Sequence, residues 1–196
     1  LGVDVVIGKA KITSPWHVEI TKDDGTKQTL ATRAIVIATG AAPFVPPLPG
    51  LDDVGYLTSD TLWGLREQPK RLVVLGGGPI GCELAQSFAR LGSQVTQIEM
   101  LPRIMIREDE EVSVFSRKAL EHDGVTVLTG HKALRCELKN GAKTIVVESG
   151  GQERAIEFDV LLCAVGRSAR LKGFGLEELG IPAQRTVQTN EYLETI

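Results

Sequence analysis

The chain has 196 residues, of which 42% are hydrophobic and 24% charged, and its formal net charge is −3. This composition is typical of a folded domain, and the slight negative charge disfavours a role on nucleic acid or on an anionic membrane surface. No apolar run reaches the roughly 18 residues of a membrane span, and the N-terminus carries no signal-peptide pattern. We therefore expect a cytoplasmic protein that binds neither nucleic acid nor membrane.

The cysteines and histidines carry no recognisable motif. Cys82, Cys136 and Cys163 are far apart in the sequence, and we interpret each as a small buried hydrophobic residue. The three histidines lack metal-ligand spacing, so no metal site is predicted. The chain begins and ends in the middle of a pattern, which indicates a piece of a longer protein.

Short β-rich runs alternate over residues 3–38 and are interrupted by Ser14-Pro15 and by the turn signal Asp24-Gly25. This period of two predicts an antiparallel meander followed by a buried strand at residues 34–38. Residues 39–50 contain four prolines, which excludes a regular element and indicates an extended linker at a domain boundary.

A different pattern begins after this linker, with a short helical segment expected near residues 59–65. The elements that follow are a strand at 71–75, a helix at 79–91, a strand at 94–99, a helix at 109–122 and a strand at 125–128. Strands that alternate with helices in this way predict a parallel sheet. Three alternating runs within residues 132–158 predict an inserted antiparallel meander, and residues 159–166 predict a further buried strand.

The helix expected at residues 109–122 is amphipathic. Val112, Phe115 and Ala119 follow helical spacing, so we expect them to face the core. The acids at positions 109–111 fall in the first turn, where the helix dipole favours anions, and we assign them a capping rather than a catalytic role.

A glycine motif links the strand at 71–75 to the helix that follows it. Gly76, Gly78 and Gly81 match the pattern G-x-G-x-x-G between an apolar run and an amphipathic helix. Gly76 would allow a tight turn, Gly78 a close approach of a pyrophosphate, and Gly81 close packing of helix on strand. Pro79 suits the first helical turn, where its missing N–H costs nothing. The motif predicts that free N–H groups at the helix start bind a dinucleotide pyrophosphate.

Glu99 follows Gly81 by 18 positions, at the end of the next strand. A carboxylate at this place accepts hydrogen bonds from both ribose hydroxyls of NAD and repels the 2′-phosphate of NADP. NAD is therefore the preferred cofactor. Arg103 is close in sequence and would favour NADP if its loop folded back onto a phosphate, so that alternative stays open.

The order of motifs resembles that of the flavin-dependent pyridine nucleotide-disulfide oxidoreductases over nearly the whole chain. "AIVIATGAAPFVPPLPG" resembles the ATG motif and exit linker of that family's FAD-binding domain. "GGGPIGCELAQSFARLGSQVT" resembles the NAD fingerprint, with a helix especially similar to mercuric reductases. "FDVLLCAVGRS" and "GFGLEELGI" resemble the second crossover of dihydrolipoamide dehydrogenases.

The resemblance implies a set of cofactor-binding residues and a fold. It assigns Thr39 and Gly40 to FAD, and it assigns to NAD the residues Gly76, Gly77, Gly78, Pro79, Ile80, Gly81, Glu83, Glu99, Ala133 and Gly166. Glu83 matches an acid that pairs with a lysine beside the flavin, and it is the one catalytic candidate. The implied fold is α/β, with a Rossmann-like NAD-binding domain at residues 45–167. Residues 1–44 are then a partial FAD-binding domain and residues 168–196 a truncated return segment.

Two departures from the family pattern stand out. Many members have a tyrosine that covers the flavin where this chain has Pro79, and a proline cannot swing aside. The family's "GRxPN" is "GRSAR" here, which puts the contacts made by its Pro-Asn pair in doubt.

We therefore predict the NAD(H)-binding portion of an FAD-dependent disulfide oxidoreductase, homodimeric at full length. This portion would be inactive alone, because the C-x4-C redox pair, most of the FAD site and the C-terminal catalytic His are absent from these residues. Two alternatives stay open: a NADH-dependent flavoprotein reductase without a redox disulfide, and a non-catalytic NAD-sensing module.

Overall fold

A computed structural model describes residues 2–195 of the chain. The chain folds into two compact units. The central unit comprises Pro43–Arg167, and the flanking unit comprises Leu1–Ala42 together with Ser168–Ile196. Assigning the central unit to NAD and the flanking unit to FAD stays a prediction.

The flanking unit contains the predicted antiparallel meander. It consists of β1 (Lys9–Ser14), β2 (His17–Thr21) and β3 (Lys27–Ala31), in the order β1-β2-β3. The turn between β2 and β3 is held by Asp24, whose carboxylate accepts a hydrogen bond from the Thr26 backbone N–H (2.9 Å), and by Gly25 at φ 81°. The C-terminal segment contacts β1, where the Ile12 backbone N–H donates to the Phe174 carbonyl (2.8 Å).

Two predicted β-runs of this unit are not strands. Residues 3–7 and 34–38 are irregular, and Val5 and Val36 are 82% and 88% exposed. A strand needs a hydrogen-bonded neighbour to satisfy its backbone and an opposing layer to bury its side chains. No strand within residues 2–195 pairs with either run, so the ATG strand expected at 34–38 does not form here.

The linker at residues 39–50, whose prolines predicted no regular element, contains one short strand, and short elements follow it, including a 3-10 turn within the helical segment predicted near residues 59–65. β4 (Ala41–Pro43) is followed by α1 (Leu51–Val54), β5 (Leu57–Thr58) and a 3-10 turn at Leu62–Gly64. Pro49 accepts a hydrogen bond through its carbonyl from the Cys136 backbone N–H (2.7 Å), which ties the linker to the later meander.

The rest of the central unit follows the predicted order. Its elements are β6 (Arg71–Leu75), α2 (Pro79–Arg90), β7 (Gln94–Glu99), α3 (Glu110–His122), β8 (Thr126–Thr129), β9 (Lys132–Lys139), β10 (Ala142–Ser149), β11 (Gln152–Phe158) and β12 (Val160–Cys163). The parallel sheet has the order β5-β12-β6-β7-β8, and β9, β10 and β11 form a separate antiparallel sheet. β13 (Arg167–Ala169) pairs with β4. The predicted mixed α/β fold is confirmed.

Layers on both faces of the parallel sheet explain why β6 is apolar throughout. Leu72 and Val74 face a cluster that includes Ala85 of α2 and Leu120 of α3. Val73 and Leu75 face the opposite cluster, which is formed with the β9–β11 meander and α1. A strand buried on both faces loses the polar alternation of a surface strand.

α3 is rotated by one residue from the predicted orientation. Ser113 and Leu120 are buried, whereas Val112 is 43% and Phe115 74% exposed. One helical residue corresponds to about 100°. The Ser113 hydroxyl donates to the Ile104 carbonyl (2.7 Å) and so satisfies a buried acceptor that an apolar residue would leave unpaired. The predicted apolar stripe therefore faces outward, and Ser113 lies on the inner face in its place.

The cysteines are unreactive in character. Cys136 and Cys163 are buried, and burial raises the pKa of their thiols to about 11 and about 12. Cys82 is half-buried, and desolvation also raises the pKa of its thiol. Thiols of this kind stay protonated near neutral pH and do not act as nucleophiles.

Within residues 2–195, none of the helices combines the length and apolar character needed to cross a membrane.

Candidate functional site

The candidate site lies at the carboxyl ends of β6, β7 and β12. From β6 the chain proceeds to β7 and β8 on one side, whereas β12 returns on the other side of β6. Strand order therefore reverses at β6. In open α/β sheets a crevice forms at such a reversal, beyond the carboxyl ends of the strands, and it is the usual ligand position.

Gly76 makes the turn out of β6. Its φ of 117° is a conformation that L side chains rarely adopt, and a Cβ at this position would overlap the carbonyl oxygen of Ala164, which follows β12. The Gly76 backbone N–H donates to the Ile98 carbonyl (2.8 Å). The turn is therefore wedged between the two neighbouring strands, and only glycine fits there.

The other glycines of the motif have different environments. A Cβ on Gly81 would overlap the Gly76 carbonyl oxygen, so this glycine allows α2 to lie directly against the turn. A Cβ on Gly77 would lie 2.9 Å from Glu99 Oε2, whereas a Cβ on Gly78 would meet no atom within 4 Å. Gly78 therefore borders open space. Within residues 2–195, no neighbouring atom requires a glycine at this position.

α2 begins at this open space. Gly78 is the N-cap residue, Pro79 is the first helical residue, and no side chain caps the helix. The backbone N–H groups of Ile80 and Gly81 have no recorded acceptor within residues 2–195. Uncapped N–H groups at the positive end of a 12-residue helix favour an anion.

Glu99, the last residue of β7, joins the glycine turn to the loop after β7. One carboxylate oxygen, Oε2, accepts a hydrogen bond from the Gly77 backbone N–H (2.7 Å), and the other, Oε1, accepts one from the Leu101 backbone N–H (2.8 Å). The predicted ribose-binding acid thus also organises the protein around it. A carboxylate offers about four lone-pair positions, so each oxygen retains capacity for a second donor.

The guanidinium of Arg103 is engaged within its own loop. It donates to the carbonyls of Met105 (3.3 Å), Ile106 (3.2 Å) and Glu108 (2.9 Å). Moving this side chain onto a phosphate would break these three hydrogen bonds. The geometry therefore weighs against Arg103 as a phosphate ligand.

The Glu99 bridge leads to a stability prediction. In Glu99→Gln the side-chain amide offers one acceptor oxygen, and its NH2 group faces the second backbone N–H. We expect a loss of about 1–2 kcal/mol in the free energy of unfolding, the usual cost of one unpaired donor. Urea denaturation followed by far-ultraviolet circular dichroism measures this loss.

Glu83→Gln is the matched control. Glu83 is exposed on α2, and no hydrogen bond or ion pair of its side chain is recorded within residues 2–195. We expect its urea midpoint to equal that of the unmodified chain. Equal midpoints for both variants would show that the Glu99 bridge does not stabilise the turn.

The remaining predicted residues lie in several places. Gly166 is exposed at φ 133° just beyond β12, at the same edge of the sheet as the glycine turn. Ala133 is half-buried on β9 and packs against the core cluster beneath the meander. In the flanking unit, Thr39 donates from its hydroxyl to the Arg170 carbonyl (2.9 Å), and Gly40 adopts φ 69°.

Gln97 is a supporting residue that the motif did not reveal. It is fully buried on β7, and its Nε2 donates to the Gly76 carbonyl (3.0 Å). Its Oε1 has no partner within residues 2–195. The sequence contained one signal for this supporting role. Gln97 lies two residues after Val95 and so on the same side of β7, and a buried amide indicates a specific acceptor.

Comparison with known proteins finds matches along the whole chain. The family model "Pyridine nucleotide-disulphide oxidoreductase" matches residues 1–196. A mercuric reductase of Staphylococcus aureus is 35% identical over 196 residues, and a dihydrolipoyl dehydrogenase of Thermus scotoductus is 38% identical over 200 residues. The alignments cover 99% and 98% of this chain but only 35% and 42% of those proteins.

A solved structure has a similar fold. The HOCl-induced flavoprotein disulfide reductase RclA from Escherichia coli superimposes with a TM-score of 0.82 at 28% identity, over 98% of this chain and 43% of RclA. The chain thus spans well under half the length of these three proteins. It belongs to the pyridine nucleotide-disulphide oxidoreductase family, whose members are FAD-dependent enzymes that use a pyridine nucleotide.

Proposed function

We propose that the central unit binds the pyridine nucleotide of an FAD-dependent oxidoreductase. The observation that carries this proposal is the open space beside Gly78. It adjoins the uncapped start of α2 and lies at the same edge of the sheet as Glu99. A glycine that no packing requires, next to free N–H groups, is suited to the close approach of a pyrophosphate.

The pyrophosphate fits the residues present. No acid lies in the first turn of α2 to repel it. Ile80 and Gly81 supply N–H donors, and the wedged turn at Gly76 fixes their direction. Donors held in place before binding cost little entropy when the ligand arrives.

The adenosine ribose would be held by Glu99, and NADH is the preferred nucleotide. Each carboxylate oxygen already accepts one backbone N–H and can accept one ribose hydroxyl as well. A 2′-phosphate would place negative charge beside this carboxylate. Arg103, the cation nearest in sequence, is occupied by three carbonyls of its own loop. In this proposal Ala133 borders the adenine, and Gly166 and Glu83 lie toward the nicotinamide.

The flanking unit would contribute Thr39 and Gly40 to the FAD site. The Gly40 carbonyl accepts a hydrogen bond from the Arg170 N–H (3.0 Å), so residues 39–40 are anchored to the C-terminal segment. Gly40 at φ 69° has no atom within 4 Å of a hypothetical Cβ. A turn that lacks a side chain and is held by hydrogen bonds allows a phosphate or a ring of the cofactor to approach the backbone closely. When bound, FAD supplies the redox chemistry that accepts hydride from the nicotinamide.

We propose further that residues 1–196 bind dinucleotide without turnover and that the full-length protein is a cytoplasmic homodimer. Transfer of electrons to a disulfide needs two neighbouring reactive thiols. The thiol pKa is raised in Cys82, Cys136 and Cys163 alike, and no two of these cysteines have C-x4-C spacing in the sequence. The redox thiols of this reaction would therefore lie outside these residues.

Calorimetric titration with NADH and with NADPH tests the proposal. We expect NADH to bind at least about tenfold more tightly, because the 2′-phosphate of NADPH meets the Glu99 carboxylate. In Glu99→Gln the charge is removed, so the ratio of the two affinities should approach one. Tighter binding of NADPH to the unmodified chain, or no binding of either nucleotide, would overturn the proposal.

A further inference from the structure

The outward face of α3 carries a short stripe of side chains with no role in the fold or in the candidate site. We define the α3 stripe as Glu111, Val114, Phe115 and Lys118, which follow the spacing i, i+3, i+4 and i+7 along one helix face. Val114 and Phe115 are 47% and 74% exposed, and Val112 beside them is 43% exposed. The stripe borders a shallow surface groove that Asp109 and Glu110 also line.

Folding does not explain this apolar surface. The opposite side of α3, with Ser113 and Leu120, already packs against the parallel sheet. Scattered exposed apolar residues are common, but the neighbouring pair Val114 and Phe115 on one helix face, with a charge at each end, is typical of a contact surface.

The charges at the two ends of the stripe are free to pair with another molecule. Both Glu111 and Lys118 are exposed, and no ion pair or hydrogen bond of either side chain is recorded within residues 2–195. Their neighbour Arg117, in contrast, pairs with Glu121 (2.8 Å). Glu111 and Lys118 thus keep their full capacity for an external partner.

The order of the four residues is self-complementary. Glu111 lies three residues before Val114, and Lys118 lies three residues after Phe115. A two-fold axis perpendicular to α3, between Val114 and Phe115, therefore places Glu111 of one copy opposite Lys118 of the other. Such an antiparallel pair forms two Glu111–Lys118 ion pairs and stacks Val114 against Phe115 twice, as an isologous interface requires.

This symmetry indicates that the partner of the α3 stripe is a second copy of the chain. A uniformly basic partner would leave Lys118 facing like charge, and a uniformly acidic partner would do the same to Glu111. We propose that two copies associate through antiparallel α3 stripes. A 13-residue helix is about 20 Å long, so the contact is smaller than a standard interface and the dimer exchanges rapidly.

Charge-swap variants test the proposal by sedimentation velocity over a range of protein concentrations. The unmodified chain should show reversible, concentration-dependent dimerisation. Glu111→Lys and Lys118→Glu each replace two attractive pairs by two repulsive ones, so each alone should dimerise at least about tenfold more weakly. Both positions are exposed, so circular dichroism should show unchanged folding in each variant.

The decisive experiment mixes the two single variants. A copy with Glu111→Lys carries two bases on its stripe, and a copy with Lys118→Glu carries two acids, so an equimolar mixture should restore dimerisation as a heterodimer. The double variant should also dimerise as the unmodified chain does. A monomeric unmodified chain, or single variants that dimerise unchanged through another face, would overturn the proposal. Failure of the mixture to associate would overturn it equally.

Discussion

Replacing Gly76 with alanine is expected to destabilise the central unit by about 2–5 kcal/mol, through two separate costs. The residue adopts φ 117°, which strains any L side chain, and the new Cβ would overlap the Ala164 carbonyl oxygen. Neither cost is easily relieved, because the obstructing atom belongs to the backbone after β12. Urea denaturation followed by helical circular dichroism measures the loss, since the longer helices α2 and α3 both belong to the central unit.

Gly78→Ala is the internal comparison for stability. Gly78 has φ −78°, and a Cβ there meets nothing within 4 Å, so the change should cost less than about 1 kcal/mol at this N-cap position. A Gly76→Ala variant as stable as the unmodified chain would show that the turn after β6 is not wedged against β12.

Gly78→Ala should nevertheless lower the affinity for NADH by about tenfold or more. The methyl group would occupy open space into which a pyrophosphate must move to reach the N–H groups of Ile80 and Gly81. Loss of one or two charge-assisted hydrogen bonds accounts for a change of about this size. Calorimetric titration of the folded variant with NADH measures it.

Gly64→Ala is the matched control for binding. Gly64 is exposed in the 3-10 turn, has no positive φ, and offers the same free space for a Cβ. Its variant should bind NADH as the unmodified chain does. If Gly78→Ala and Gly64→Ala bound NADH equally well, the open space at Gly78 would not be the pyrophosphate position.

These paired glycines show what the motif could and could not predict. The pattern G-x-G-x-x-G, the strand before it and Glu99 after it were sufficient to predict β6, α2 and β7, the tight turn at Gly76 and the close helix packing at Gly81. Gly76 and Gly81 indeed occupy positions without room for a side chain, whereas Gly78 borders open space. Local spacing succeeds here because the turn, the helix start and the next strand are contiguous in sequence.

Features that depend on distant contacts were missed. Residues 34–38 have the apolar pattern of a strand, but strand formation depends on a partner that periodicity cannot identify. The orientation of α3, with Ser113 rather than Phe115 facing inward, involves a contact between Ser113 and Ile104 that periodicity cannot identify. Glu99 was predicted as a ligand residue, yet its bonds to Gly77 and Leu101 depend on how two loops meet.

The most direct test of the account is an NADH titration followed by two-dimensional amide NMR. The amide signals of Gly78, Ile80 and Gly81 should shift most, with a second group at Leu101 beside Glu99. This result would place the pyrophosphate at the start of α2 and the ribose at the end of β7. Shifts confined to the groove at the amino ends of the strands, around Lys70 and Gln94, or no shifts at all, would contradict it.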